Sequence, residues 1–561
     1  MYLNSLNNPF VYDDYNTIVD NTSIHDVTNV RGIVLHDVTR PIINYSYAID
    51  YALWGTRPFG YHLTNVLLHV LNVILLFVLA RRLVEDERRS DALLKIDANV
   101  VAFAAAMLFA VHPMITEAVG YISGRSEVMC ATWLLLAMAC GRRWVRGGGT
   151  RWAILTAGLW IATVATKEIG AMFPPILFCY DRFIVRGTAA EGRRRIFTVH
   201  LPLFSAGLAA GIVRLALFAR VEHQDQVATH WPYALVELDV VRRYVGLILH
   251  PVGQAIFHEV AGVPTLFTAT ALTAIGLLVL MLVIAWRLRR AEGAVSLGIL
   301  WFLLLLVPSS ALVVLGRGEP MAEHRVYAAS AGLFLAIGMG IGWFMAALTQ
   351  LKLRVRLRYA RLLANVAMAL ILLSLCTRTH ARNVVWHDPV TLWRESVDLA
   401  PNHFRPRMLL GQAWQEAGRR EEAVKQFKMA AKLRPQEEAI YKNLGLCLAE
   451  MGRLDEAAAT FMQLRQLNPR SAFAPTGLGA IAAMSRQPGR ARQYYIEALD
   501  LDPRSVPARQ SLAMLAEMEP ANPAEALRLC EEIERLAPGT PGNDECIRRN
   551  RSRLADGSSR R

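Results

Sequence analysis

Charged residues are scarce in this chain of 561 residues, and that scarcity limits what the protein can be. Asp, Glu, Lys and Arg together make up 19% of the sequence, whereas hydrophobic residues make up 53%. The mean hydropathy is +0.27. An ordinary soluble globular protein has a larger polar share, so the composition excludes that class for most of the chain.

Patterns that would indicate metal binding or disulfide bonding are also missing. The seven cysteines lie far apart, without a CxxC pair or another metal-ligand spacing. We therefore predict neither a zinc site nor a structural disulfide. Asp13 and Asp14 form the one acidic pair with any resemblance to a metal cage, so we predict no required cofactor and leave a divalent metal ion open as an alternative.

Apolar residues arrive in blocks of roughly 16 to 24, which is typical of polytopic helical membrane proteins. The net charge of +14 is concentrated in the short connectors between these blocks, so we predict membrane topology and not nucleic-acid binding. The first 60 residues contain no signal-peptide pattern and no stretch able to span a bilayer. We predict ten spans at 61–80, 98–111, 128–144, 152–166, 169–184, 197–219, 266–286, 295–315, 326–348 and 362–376.

The orientation of these spans follows from their connectors. If every arginine-rich connector stays cytoplasmic, as the positive-inside rule requires, the ten crossings close consistently when 236–260 lies along the outer interface. Residues 1–60 and the C-terminal part then lie outside. We predict an integral membrane protein, in a bacterial inner membrane, with its chemistry and its repeats on the outer face.

The polar C-terminal part contains an internal repeat. Pro401, Pro435, Pro469 and Pro503 lie 34 residues apart, and a set of glycines keeps the same step. This is the tetratricopeptide period. The predicted fold class is therefore all-α, a polytopic transmembrane domain followed by an α-solenoid of about four tetratricopeptide repeats. The predicted domains are an outer loop at 1–60, the membrane domain at 61–377, the repeats at 378–540 and a disordered tail at 541–561.

Charged and polar residues collect in the connectors that we place outside. An unpaired ionisable group at a membrane boundary is costly, so such a cluster indicates pairing, water or a polar ligand in one outward cavity. The candidates for catalysis are Asp13 and Asp14. The candidates for binding are Arg40, His112, Glu117, Arg125, Glu127, Lys167, Glu168, Glu323, His324 and Arg325.

Structural alternatives stand beside these assignments. Asp13 and Asp14 can cap a loop, because Asp is common in turns. His112 can be a helix-end residue that is hydrogen-bonded to the backbone, and the sequence EHR at 323–325 can be an internal ion-pair cluster. Lys167 and Glu168 can pair with neighbouring charges without touching a substrate.

The ordered set FVYDD, RPIINYSYAIDYALWG, HPMITEAVGYISGRSE, TKEIG and AEHRVY, followed by the repeats, resembles the transmembrane, tetratricopeptide-bearing protein O-mannosyltransferases. The resemblance covers about residues 8–538 and implies a GT-C glycosyltransferase fold. It implies transfer of a sugar, typically mannose, from a polyprenyl-phosphate donor to a protein hydroxyl. Asp13 matches the family's catalytic acidic position, and Asp14 is a supporting or alternative base.

Elementary chemistry agrees with what the resemblance implies. A Ser or Thr hydroxyl needs a base to remove its proton, and the departing lipid phosphate needs cations more than an acid. Arg125, Lys167, His324 and Arg325 are the cations that we expect to provide this stabilisation. Single displacement from a β-linked donor would invert the anomeric centre. The expected partners are the lipid-linked donor and protein or peptide acceptors, the latter held by the repeats.

The chain departs from the family at its start, where a first transmembrane helix ahead of the YDD loop is expected. We therefore expect a further helix encoded before Met1, which would give eleven spans. Two other functions stay open. One is a non-enzymatic membrane scaffold whose repeats assemble envelope proteins. The other is a transporter, although no interrupted helix pairs or repeated halves favour it.

Overall fold

Helices account for 82% of the residues that the computed structural model describes, which confirms the all-α class. The structure describes residues 1–87, 96–221, 231–260, 265–314, 319–350, 354–518, 522–537 and 540–558, and no strand occurs among them. Most of the predicted outer connector RVEHQDQVATHWPY, residues 220–233, lies outside the described residues, which resume at 231. Two compact units divide the chain, Met1–Asp388 and Pro389–Arg561. Their boundary falls later than the predicted 377/378 because the last helix of the first unit continues to Val385.

The first unit contains fifteen α-helices within its described residues. They are α1 Val30–His36, α2 Pro41–Trp54, α3 Pro58–Glu87, α4 Ala98–Val111, α5 Thr116–Gly120, α6 Arg125–Val145, α7 Thr150–Thr166, α8 Phe173–Tyr180, α9 Ala189–Arg195, α10 Leu201–Val221, α11 Trp231–Leu249, α12 Ala269–Leu288, α13 Gly293–Val314, α14 Tyr327–Gln350 and α15 Arg354–Val385. Short 3-10 or π-helical turns precede or join several of them.

Seven helical stretches among the described residues are long and apolar enough to cross a membrane, and an eighth is counted if α4 and the bent segment Pro113–Gly120 form one broken span. The ten predicted spans exceed this number. The predicted span at 169–184 is not one continuous helix, because α8 covers only eight residues between a 3-10 turn at Glu168–Met172 and a π-helical turn at Asp181–Val185. The predicted span at 152–166 is α7, whose 17 residues fall just short of the others.

The arginine-rich connectors meet at one end of the helical bundle. Arg142 and Arg146 both pair with Asp86, the latter at 2.8 Å. Arg186 donates to the backbone carbonyl of Arg289 at 3.1 Å. The chain therefore brings connectors that are distant in sequence to a single face, as the positive-inside argument requires.

The polar motifs that we placed outside meet at the other end. Asp13 donates its backbone N–H to the Tyr121 hydroxyl at 3.0 Å, and Lys167 pairs with Glu127 at 2.7 Å. Helix α7 joins the two ends, and at about 1.5 Å per residue it extends about 25 Å. That length approaches the hydrocarbon thickness of a bilayer, so α7 is long enough to carry the chain across when its polar ends lie at the interfaces.

Small residues set the closest helix crossings in this unit. A Cβ on Gly298 of α13 would clash with the backbone carbonyl of Gly332 in α14, and the reverse is also true. A Cβ on Gly338 of α14 would stand 2.7 Å from the carbonyl of Val101 in α4. In a bilayer no hydrophobic driving force brings helices together. Small residues let the helix backbones approach closely, and the resulting van der Waals packing holds them.

The second unit is a solenoid of helix pairs. It consists of α16 Pro389–Leu399, α17 Phe404–Glu416, α18 Arg420–Leu433, α19 Glu438–Glu450, α20 Leu454–Leu467, α21 Phe473–Met484, α22 Pro488–Leu501, α23 Val506–Met518, α24 Pro523–Leu536 and α25 Asn543–Ser558. Four pairs, α17 to α24, match the predicted four repeats.

The repeated glycines explain how the pairs close. Gly445 in α19 faces the Phe461 ring of α20, and a Cβ on that glycine would stand 2.6 Å from a ring carbon. Gly411 faces Phe427 in the same way one repeat earlier. The missing side chain leaves room for an aromatic ring between the two helices of these repeats.

Two expectations for the C-terminus are wrong. The tail predicted to be disordered from 541 onward forms α25, an amphipathic helix that packs on α24 as a solenoid cap does. Cys530 and Cys546 form a disulfide, although no structural disulfide was predicted. The two cysteines lie 16 residues apart on adjacent helices with Cα atoms at 6.4 Å, a distance that depends on the helix–turn–helix geometry and not on a local motif.

Candidate active site

The two adjacent carboxylates follow a strained turn at Tyr12. Tyr12 has a φ of 52°, in the left-handed region that residues other than glycine seldom adopt. Its ring packs edge-on against Phe257 at 5.7 Å between centroids. Asp13, the next residue, is exposed, whereas Asp14 is buried. Backbone strain of this kind is found at functional sites more often than elsewhere.

Asp14 fastens the YDD turn to the start of α6. Its Oδ1 accepts hydrogen bonds from the backbone N–H of Ser123 at 2.9 Å and from the Ser123 hydroxyl at 2.6 Å, and its Oδ2 accepts from the backbone N–H of Val11 at 3.1 Å. Burial raises the pKa of Asp14 from 3.8 to about 7, because removal from water outweighs these hydrogen bonds. Asp14 therefore acts as an anchor for the turn.

Asp13 instead lines a cavity of about 240 Å³ at the polar end of the bundle. Its position is fixed through its backbone, since its N–H donates to the Tyr121 hydroxyl and its carbonyl accepts from Thr17 at 2.8 Å. The Tyr121 ring in turn stacks on Trp386 at 5.6 Å. The cavity is lined by Asp13, Asn16, Thr17, Asn21, His36, Asp37, Arg40, Ile43, Asn44, Tyr47, Tyr121, Ser123, Gly124, Ser126, Lys167 and His324.

Three predicted cationic residues reach this cavity from three separate connectors. They are Arg40 at the start of α2, Lys167 at the end of α7, and His324 in the 3-10 turn ahead of α14. The cavity thus places a carboxylate and several basic side chains around one space, which is large enough for part of a sugar phosphate.

A carboxylate stands behind each of these basic side chains. Glu127 pairs with Lys167 at 2.7 Å. Glu168 pairs with Arg40 at 3.5 Å, and Glu117 pairs with His324 at 2.6 Å. These three glutamates, all predicted as binding residues, do not line the cavity themselves and contact it through their partners.

Arg125 is placed away from the cavity. Its side chain is completely buried, and it pairs with Asp50 at 2.5 Å. It also donates to Asn65 Oδ1 at 2.8 Å and to the carbonyl of Tyr61 at 2.9 Å. These contacts join α2, α3 and α6. The guanidinium is fully engaged by protein groups and is therefore not available to a phosphate.

His112 and Glu323 also have internal partners. The His112 ring receives a hydrogen bond from the N–H of Met114 and contacts the carbonyl of Ile248 at 2.9 Å, so it occupies the helix-end position that was the structural alternative. Glu323 accepts from the N–H of Ala255 and contacts His258 Nε2, both at 2.8 Å.

Arg325, the last of the predicted cations, points away from the cavity lining. It donates to the carbonyl of Glu319 at 2.8 Å. Of the sequence EHR at 323–325, the structure therefore brings only His324 to the cavity.

Several lining residues escaped the sequence analysis. Ser123 and Tyr121 belong to a quoted motif, but nothing in the sequence indicated that they hold the YDD turn. Asn44 donates to the carbonyl of Ile33 at 2.6 Å and accepts from Asn21 at 2.9 Å. The polar spacing within RPIINYSY, where a helix facing lipid would be apolar, was the one available signal.

An apolar groove of about 660 Å³ opens beside the cavity. It runs along α7 and α10, and its far end is marked by Trp144 near the arginine-rich connectors. Val38, Thr39 and Pro41 form its near end, and they alternate in sequence with Asp37 and Arg40 of the polar cavity. The two spaces are therefore adjacent at Arg40.

Within the residues that the structure describes, no group of three or more His, Cys, Asp and Glu side chains is arranged to hold a metal ion. Asp13 and Asp14, the pair that left this alternative open, face different environments.

The comparisons with known proteins agree with this architecture. A family model described as tetratricopeptide repeat matches residues 394–472. The crystal structure of MamA shares a TM-score of 0.23 and 18% identity over 26% of this chain and 85% of its own.

Two curated relatives extend over most of the sequence. The chain is 24% identical to the Caenorhabditis elegans protein O-mannosyl-transferase F38B6.6, over 78% of this chain and 61% of that protein. It is 26% identical to Drosophila melanogaster protein O-mannosyl-transferase Tmtc3, over 79% of this chain and 55% of that protein. The chain thus spans little more than half the length of these relatives. The resemblance to the transmembrane, tetratricopeptide-bearing protein O-mannosyl-transferases, seen first in short motifs, is confirmed over almost four-fifths of the chain.

Proposed function

We propose that the protein is an integral-membrane glycosyltransferase that moves mannose from a polyprenyl-phosphate donor to Ser or Thr hydroxyls of proteins on the non-cytoplasmic face. One observation carries the proposal. The exposed carboxylate of Asp13 shares a cavity with Arg40, Lys167 and His324, while Asp14 is engaged in holding the turn. A base and several cations around one space are what this reaction requires.

The carboxylate and the cations of the cavity act on different parts of the reaction. Asp13 takes the proton of the acceptor hydroxyl as its oxygen attacks the anomeric carbon. The bond from that carbon to the phosphate oxygen breaks at the same time, and its electron pair stays on the lipid phosphate. Lys167 and Arg40 stabilise the added negative charge on that phosphate. A single displacement of this kind inverts the anomeric configuration, so a β-linked donor gives an α-linked product.

The apolar groove supports a lipid carrier over a soluble sugar nucleotide. Its near end alternates in sequence with residues of the polar cavity, and its remaining lining is aliphatic and aromatic. A phosphate held at Arg40 would leave its hydrocarbon chain at the mouth of this groove. A lipid chain that is already in the bilayer can occupy this groove without leaving an apolar environment, whereas a soluble sugar nucleotide has no segment that would fill it.

Two further features support an outward active site. The arginine-rich connectors gather at the end opposite the cavity, as expected if they face the cytoplasm. The second unit contains a disulfide, and such bonds persist in oxidising compartments, the bacterial periplasm included. The proposed location is therefore an inner membrane with the repeats outside, where stacked helix pairs offer a concave surface to acceptor polypeptides.

The decisive test is transfer by purified protein in detergent or nanodiscs, with polyprenyl-phosphate mannose and an acceptor peptide. We expect Asp13→Asn to reduce kcat by at least about 100-fold, because general-base catalysis contributes 10²–10⁴. Asp20→Asn is the matched control, since Asp20 is an exposed aspartate of the same segment outside the cavity lining. Full activity in Asp13→Asn would remove the proposed base. No transfer by the wild-type protein, together with acceptor capture by the repeats, would favour the scaffold instead.

A further inference from the structure

Glu117 and His324 form a close pair that joins two distant connectors. Glu117 lies in α5, and His324 lies in the 3-10 turn ahead of α14. Glu117 Oε1 stands 2.6 Å from His324 Nδ1, and Oε2 accepts the backbone N–H of His324 at 3.2 Å. One carboxylate therefore holds both the ring and the main chain of the histidine.

The two partners differ in their access to the cavity. The Glu117 side chain is 4% exposed, whereas the His324 side chain is 25% exposed and lines the cavity. No described residue forms a hydrogen bond with His324 Nε2. At 2.6 Å, one proton lies between Glu117 Oε1 and His324 Nδ1, so Nδ1 is engaged by the carboxyl group and Nε2 is the ring's other polar atom.

We propose that Glu117 is a positioning residue that holds His324 so that Nε2 binds the phosphate of the donor. This inference rests on the proposed function and deepens it. In the state that binds the donor, the pair holds one proton between Oε1 and Nδ1 and a second on Nε2, which Nε2 donates to a phosphoryl oxygen. A buried carboxyl group on one nitrogen of a histidine is a general way to fix the orientation of the ring.

The pair acts on the leaving-group side of the reaction. As the anomeric carbon to oxygen bond breaks, the phosphate gains one negative charge, and the Nε2 hydrogen bond strengthens with that charge. Nε2 keeps its hydrogen throughout. The proton of the acceptor hydroxyl goes to Asp13, so the step balances without any other reactant.

Several charged groups surround His324. Arg325 is its neighbour in the same 3-10 turn, and Lys167, Asp13 and Glu127 face it from other elements, besides Glu117. Lys167 is compensated by Glu127 at 2.7 Å, and Arg325 is directed to a backbone carbonyl. A phosphate that enters the cavity can therefore accept a hydrogen bond from His324 Nε2, while Nδ1 stays paired with Glu117.

The test measures donor handling and acceptor handling separately. The variants are His324→Ala, His324→Gln, Glu117→Gln and the double variant Glu117→Gln with His324→Ala. We expect each single variant to weaken binding of polyprenyl phosphate and to lower kcat/KM for the donor by about 10- to 100-fold, the range of a charge-assisted hydrogen bond. The KM for the acceptor peptide should stay within about twofold of wild type. His250→Ala is the control, because His250 is exposed and does not line the cavity.

The double variant separates positioning from a merely structural role. If Glu117 acts through His324, Glu117→Gln adds nothing to the loss already caused by His324→Ala. Additive losses, or an equal loss of acceptor binding, would overturn the proposal. Wild-type donor kinetics in a folded His324→Gln would also overturn it, while the loss of activity in Asp13→Asn would leave the proposed function standing. Because polyprenyl-phosphate binding needs no turnover, it gives a result even in variants with very slow transfer.

Discussion

Replacing Arg125 with methionine discriminates most sharply between a role predicted from sequence and the role that the structure gives. The sequence places this arginine among the cations for the donor phosphate. In the structure its side chain is fully buried, pairs with Asp50 at 2.5 Å and donates to Asn65 and to the Tyr61 carbonyl. Arg125→Met keeps most of the volume and removes the charge, so Asp50 is left buried without its partner.

The expected cost follows from that geometry. Removal of one partner of a buried ion pair costs about 3–5 kcal/mol, because the remaining charge is desolvated and uncompensated. We expect a fall of several degrees in the thermal unfolding midpoint of the purified protein in detergent. The double variant Asp50→Leu with Arg125→Met should recover much of this loss, since replacing both charges by apolar groups is often nearly neutral.

The assay is a thermal unfolding curve beside a binding measurement with polyprenyl phosphate at a temperature where every variant is folded. Our interpretation requires a large loss of stability with donor affinity close to wild type. The opposite pattern, an unchanged midpoint with donor affinity reduced by tenfold or more, would refute the reasoning and return Arg125 to the phosphate site.

Three further predictions concern other parts of the chain. Burial raises the pKa of Asp14 above its value in the unfolded chain, so the carboxyl favours folding below pH 4 and this contribution is lost as the pH rises through about 7. Asp14→Asn keeps an acceptor for Ser123 and does not titrate. Its thermal unfolding midpoint should therefore rise relative to that of the wild type as the pH increases from 4 to 7, and a constant difference between the two midpoints would contradict the raised pKa. Serine in place of both Cys530 and Cys546 should cost about 3 kcal/mol, as reported by urea unfolding of the protein, and a loss below 1 kcal/mol would contradict this estimate. Gly298→Leu should prevent α13 and α14 from closing and lower the yield of folded protein, whereas a leucine at exposed Val307 should not.

The sequence predicted well those features that depend on periodicity or on composition. Apolar blocks gave the helical membrane domain, and the 34-residue step of Pro401 and its successors gave four helix pairs. The sequence singled out Lys167 and His324, which line the cavity, because charge beside apolar blocks is rare enough to be informative.

Features that depend on side-chain direction were not predictable in this way. Asp13 lines the cavity and Asp14 is bound to Ser123, and the dipeptide alone does not show which of its two side chains takes which position. Arg125 and Lys167 resemble each other in the sequence, yet one is enclosed by three helices and the other reaches the cavity. The bond between Cys530 and Cys546 required the fold of two helices, which spacing alone does not give.

The glutamate behind each cavity cation has a consequence for selectivity among anions. Because Arg40, Lys167 and His324 are each compensated at rest, the empty cavity projects little net positive field into the surrounding water. Free phosphate and soluble nucleotides are then not concentrated at its mouth by long-range attraction. An anion would gain affinity only at contact distance, and a ligand with a lipid chain reaches that distance from within the membrane. Such a cavity would stay accessible to a scarce membrane substrate even in a medium rich in competing anions.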